Sequence, residues 1–108
     1  MPPYSKPINN YQVTYRSLHD IHAEITCTSG TGEQVCRLAF YDDARPMPVR
    51  NTFLGTSTLP TLAFRSSQFV AMLTLLREEK PVFLAFNPDT MTGWINTGIE
   101  PAGEDEGP

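Results

Sequence analysis

Lysine, cysteine and tryptophan are scarce in this chain, and each scarcity narrows what it can do. Lys6 and Lys80 are the only lysines, and the eight Lys and Arg residues face twelve Asp and Glu. With an isoelectric point near 5.0 and no basic run, tight non-specific binding of nucleic acid is disfavoured, because such binding rests on clustered cations and a domain pI above about 9. Cys27 and Cys36 are the only cysteines. They are too few for a disulfide scaffold and too far from other ligands for a recognisable zinc motif, so two reduced, partly buried thiols are expected. No window approaches the roughly 18 apolar residues of a membrane span, and the first residues lack the apolar stretch of a signal peptide. A soluble, cytoplasmic protein with no membrane partner is expected.

At 108 residues the chain has material for one hydrophobic core. Its formal charge of −4 is unevenly placed: Glu100, Glu104, Asp105 and Glu106 fall within the last nine residues, and the first 99 residues are balanced. Three parts follow from composition. Residues 1–10 are a Pro-rich leader, residues 11–99 a single domain, and residues 100–108 an acidic tail. Both ends lack the apolar area to offset the entropy of ordering them, so both are expected to be mobile.

The stretch Ile21 to Tyr41 carries the clearest local signal. Ile21, Ala23, Ile25 and Cys27 alternate with His22, Glu24, Thr26 and Thr28. After the turn-rich Ser29-Gly30-Thr31-Gly32, the residues Cys36, Leu38 and Phe40 share one parity. A hairpin with Thr28 opposite Glu33 brings Ile25 against Cys36, Ala23 against Leu38 and Ile21 against Phe40, and it pairs Glu24 with Arg37 on the other face. In that register Cys27 faces Gln34. The thiols are then diagonal neighbours, poorly placed for a disulfide.

Beyond the proline-broken loop 42–48, Val49–Gly55 and Leu59–Phe64 read as two further strands. Ser66 is a candidate N-cap, and Phe69, Met72, Leu73 and Leu76 recur at helical spacing until Lys80-Pro81 ends the helix. Val82–Phe86 and Gly93–Ile99 then form a second hairpin. The expected fold class is α+β, a twisted antiparallel sheet with one main helix in the order β-β-β-β-α-β-β.

A four-strand meander entering a helix through Leu62-Ala63-Phe64-Arg65-Ser66-Ser67-Gln68-Phe69 resembles the β-β-β-β-α module of the single-stranded-DNA-binding transcriptional regulators of the positive cofactor four and Whirly families. The resemblance spans residues 21–79. The chain as a whole also resembles small uncharacterised cyanobacterial proteins of that fold. What the resemblance implies is a homodimer and a single-strand-binding sheet, although this chain has few of the lysines that such a surface uses.

Candidate sites divide between chemistry and contact. His19 and His22 fall on opposite faces of the inferred strand, so they do not share a metal. Cys27 and Cys36 lie in an apolar row that raises a thiol pKa, and Ser66 lacks a Gly-x-Ser-x-Gly elbow, so neither is read as a nucleophile. No enzyme, metal or cofactor is expected. Arginines at 16, 37, 45, 50 and 65, with Tyr11, Tyr15 and Tyr41 interleaved, outline a candidate binding surface. Its principal members are Arg37, Tyr41, Arg50 and Arg65. Trp94, Met72 and Leu76 are candidate interface residues, the tryptophan being either a core anchor or a contact hot spot. The expected function is a non-enzymatic binding or regulatory module acting through protein–protein contacts as a homodimer. The alternative is a weak binder of single-stranded nucleic acid.

Overall fold

The computed structural model describes residues 2–48, 50–53 and 58–98. In chain order they form β1 (Tyr4–Ile8), β2 (Asn10–Tyr15), β3 (Ile21–Thr28), β4 (Gln34–Tyr41), β5 (Thr52–Phe53), β6 (Pro60–Arg65), α1 (Phe69–Glu78), β7 (Val82–Asn87) and β8 (Thr92–Thr97). The class is α+β, with two sheets where one was expected: β1-β7-β8 and β2-β3-β4-β6-β5. The expected meander is also corrected, because β6 lies parallel to β4 and the short β5 pairs on its far side. Of the expected strand Val49–Gly55 only Thr52–Phe53 is a strand, and Val49 and residues 54–57 lie outside the described residues, as do Ile99 and the acidic tail.

Residues 4–8, expected within a mobile leader, instead pair along β7 from Tyr4 opposite Phe86 to Ile8 opposite Val82. Pro7 is accommodated because β1 is an edge strand, where a missing N–H need not break a ladder. The chain passes from one sheet to the other at Asn9, whose N–H donates to the Thr28 carbonyl at 2.9 Å.

The hairpin of β3 and β4 forms, but its register differs from the expected one by two residues. Ile25 faces Leu38, Ala23 faces Phe40 and Cys27 faces Cys36. Alternation fixes only the parity of a strand, and a two-residue slip preserves which side chains share a face. One residue of the slip comes from the turn, where the Ser29 N–H donates to the Glu33 carbonyl, and one from a bulge that leaves Val35 extra in β4; a second bulge, at His22 in β3, takes one residue back at the far end. The thiols thus stand directly opposite, both buried and both free. Their mutual hydrogen bond and their burial push the Cys36 thiol well above its ordinary pKa.

The core lies between the inner faces of the two sheets. Ile25, Cys27, Cys36, Leu38, Phe40 and Leu62 come from the large sheet, and Val82, Leu84 and Phe86 from the small one. A Cβ at Gly93 would lie 2.8 Å from a ring carbon of Phe86 and 3.2 Å from Cδ2 of Leu62. The absence of a side chain there lets β8 close down onto β6.

Helix α1 presents the expected stripe. Phe69 meets Phe40 edge-on at 5.1 Å between centroids and Tyr15 at 5.6 Å. Leu76 is buried in the core, Met72 and Leu73 are half-buried against it, and Val70 is exposed. Leu76 is therefore not available as an interface residue. Ser66 does not cap the helix, because Ser66–Gln68 form a turn of 3-10 helix ahead of it. The Ser66 hydroxyl donates to Asp43 Oδ1 at 3.3 Å, while Gln68 Oε1 accepts the Arg65 N–H at 3.0 Å.

Two outcomes are expected. Leu76→Ala lowers stability by about 2–5 kcal/mol and Val70→Ala changes it by less than about 0.5 kcal/mol in denaturant titrations. Both thiols of the native protein stay silent to a thiol reagent and react once it is unfolded.

Candidate functional site

Successive residues of a strand point to opposite faces, so the ladder positions decide which candidates meet. On the large sheet Arg37 is opposite Thr61, Ala39 opposite Ala63 and Tyr41 opposite Arg65. Arg37, Tyr41 and Arg65 therefore share the outer face, turned away from the core. Arg50 stands apart from them in the exposed segment before β5. Tyr11 and Tyr15, expected to interleave with the arginines, lie opposite Cys27 and Ala23 on the inner face. Tyr11 packs on the core and Tyr15 on Phe69.

The centre of the outer face is Glu24, with only 8% of its side chain exposed. Thr14 faces it from β2 and Ala39 from β4. Arg37 sits diagonally beside Ala39 and donates to Glu24 Oε2, so the pair read from the sequence forms despite the changed register. Arg16 donates to the other oxygen, Oε1, at 2.7 Å. Burial alone would raise the Glu24 pKa, but the hydrogen bonds and charges of Arg37 and Arg16 outweigh it and hold the carboxyl below its ordinary value. The sequence placed Arg16 among the candidate surface arginines but not on Glu24; the signal for that contact was the alternation of Tyr11, Val13 and Tyr15 with Gln12, Thr14 and Arg16 one strand earlier.

The remaining charges of this face are also engaged. Arg65 Nη1 donates to the main-chain carbonyls of Asp42, Asp43 and Arg45. Arg45 pairs with Asp20 at 3.5 Å. The bulge in β3 brings His22 to Asp42, Nε2 to Oδ2 at 3.0 Å, while His19 Nδ1 accepts the Ile21 N–H. The Ala44 N–H, then the charge of His22, hold the Asp42 carboxyl below its ordinary value. Ser66 and His22 both line a cleft of about 360 Å³ with Arg16 and Phe69. The two polar groups hold separate acids, the hydroxyl on Asp43 and the imidazole on Asp42, which is not the hydroxyl-to-imidazole bond of an activated serine.

A second face differs in kind. On the outside of the small sheet, Pro7 lies opposite Phe83, Ala85 opposite Trp94 and Phe83 opposite Asn96. Ser5, Asn87 and Thr92 complete the face. None of these side chains ionises. Trp94, on the edge strand β8 beside Ala85, is 50% exposed. The inward positions of the same strands are Leu84, Phe86, Gly93 and Ile95, so parity alone turns the indole outward.

The Glu24 clamp sets a sign for acid sensitivity. Its folded pKa is lowered, so the stabilisation is complete above the ordinary carboxylate range and is lost as pH falls through the depressed folded value. Glu24→Gln is expected to cost about 1.5–3 kcal/mol at neutral pH. The gap between variant and parent then closes in acid, as urea titrations across pH will show.

No protein-family model, curated protein or solved structure matches the chain.

Proposed function

We propose that the chain is a non-enzymatic binding module that acts through protein–protein contacts, with the outer face of the β1-β7-β8 sheet as its contact surface. The observation that carries this reading is the half-exposed Trp94 on the edge strand β8, on a face with no charged side chain among its described residues. Interface centres are depleted of charge and enriched in aromatic residues, and a tryptophan flanked by Ala85 and Phe83 supplies a large area with little entropy to lose. Met72, half-buried on α1, belongs to the core rather than to this surface.

A single-stranded nucleic acid on the outer face of the large sheet is the second reading, favoured by the shared placement of Arg37, Tyr41 and Arg65. The local electrostatics weaken it. Arg37 and Arg16 are committed to Glu24, and Arg65 to three carbonyls. Each phosphate neutralised adds a salt slope of only about −0.7 on a single strand. Affinity for an oligonucleotide is therefore weaker than about micromolar near 0.15 M salt, and removing residues 100–108 strengthens it.

Affinity purification from the native cell, with the full chain and with Trp94→Ser and Arg37→Glu variants, tests the choice. Protein partners lost with Trp94→Ser and kept with Arg37→Glu support the protein-binding reading. Nucleic acid recovered with the parent and lost with Arg37→Glu, or tight binding in a fluorescence titration with an unstructured oligonucleotide, overturns it.

A further inference from the structure

Strand β8 ends the small sheet, and no described strand pairs with its outer side. Which of its main-chain groups face outward follows from one hydrogen bond. The Gly98 N–H donates to the Pro81 carbonyl at 3.2 Å, so this opposed pair bonds toward β7. In an antiparallel ladder bonded and non-bonded pairs alternate. Asn96 opposite Phe83, and Trp94 opposite Ala85, therefore also bond toward β7. The N–H and C=O groups of Gly93, Ile95 and Thr97 point to the open side.

The two edges of this sheet are unlike. β1 carries Lys6 and Pro7, both devices that discourage a further strand, whereas β8 reads Thr-Gly-Trp-Ile-Asn-Thr with neither charge nor proline. A neutral strand is suited to one partner in particular. About a two-fold axis residue i faces residue j of the partner while j faces i, so a strand whose charges share one sign would meet that same sign across the seam.

We infer that a second copy of the chain adds along β8 in antiparallel fashion, joining two three-stranded sheets into one. This deepens the reading of the small sheet as the contact surface and rests on it, since the joined sheet carries a doubled uncharged face with two indoles. The register is constrained. Side chains directly opposite must lie on the same face, and bonded pairs must be drawn from Gly93, Ile95 and Thr97. The pairing that uses all three sets Ile95 against Ile95 of the partner subunit, and Gly93 against the partner's Thr97. Trp94 then faces the partner's Asn96 on the outer side. It forms about six main-chain hydrogen bonds, where a shift by one pair in either direction forms fewer.

Sedimentation of the full chain from micromolar to millimolar concentration, with hydrogen exchange on the same samples, is the test. The expected species has twice the 12.1 kDa of the chain, and the amides of Gly93, Ile95 and Thr97 gain protection as it forms. Trp94→Lys combined with Asn96→Lys places like charges opposite each other on the exposed face and should give a folded monomer. Trp94→Lys combined with Asn96→Glu places opposite charges there and should restore the dimer. A monomer at every concentration, a dimer whose β8 amides stay unprotected, or a dimer indifferent to these pairs overturns the inference. A monomeric parent that still loses its protein partners on Trp94→Ser would overturn this pairing and leave the protein-binding reading standing.

Discussion

The register of β3 against β4 governs the rest of the molecule, because the two strands sit at the middle of the large sheet and carry much of its buried surface. Ile25 against Leu38, Cys27 against Cys36 and Ala23 against Phe40 form an apolar ladder on the inner face. Slipping β3 by one residue against β4 would send Ala23, Ile25 and Cys27 to the outer face and bring Glu24 into the core. The two bulges reconcile the central register with its ends. One releases Val35 into a buried position and the other turns His22 toward Asp42. The Glu24 clamp depends on the same register, since Arg37 reaches it only as a diagonal neighbour and Arg16 only through the pairing of β2 with β3.

From that ladder the two outer faces acquire opposite characters. The large sheet turns outward a buried carboxylate with two guanidiniums, a histidine–aspartate pair and an arginine bound to carbonyls, so its charges are satisfied from within. Among the described residues the small sheet turns outward only neutral groups beside an exposed indole. A face already satisfied offers a partner little that water does not, whereas a neutral aromatic face gains from leaving water. This contrast supports assigning the contact surface to the small sheet.

Much of this was legible in the sequence, and the exceptions share physical causes. Ile21 to Tyr41 announced a hairpin, and Phe69, Met72, Leu73 and Leu76 announced a helix, because both signals are local periodicities. The register was off by two because alternation reports parity alone, and one residue in the turn plus one in the Val35 bulge together preserve it. The parallel neighbourhood of β4 and β6 was invisible because nothing local distinguishes a returning strand from a meander. β1 was hidden by Pro7 and by Pro2 and Pro3 ahead of it, which read as a leader although an edge strand tolerates a proline. Tyr11 and Tyr15 were placed among the arginines, since their inward orientation depends on β2 pairing with β3. For Trp94 the sequence offered core or contact, and only the parity of β8 against β7 turns it outward.

The register is most directly read from interstrand nuclear Overhauser effects in solution. Contacts linking Cys27 to Cys36, Ile25 to Leu38 and Ala23 to Phe40 are the predicted result. Contacts linking Ile25 to Cys36 and Ala23 to Leu38 would contradict it, and with it the placement of Glu24, His22 and Val35.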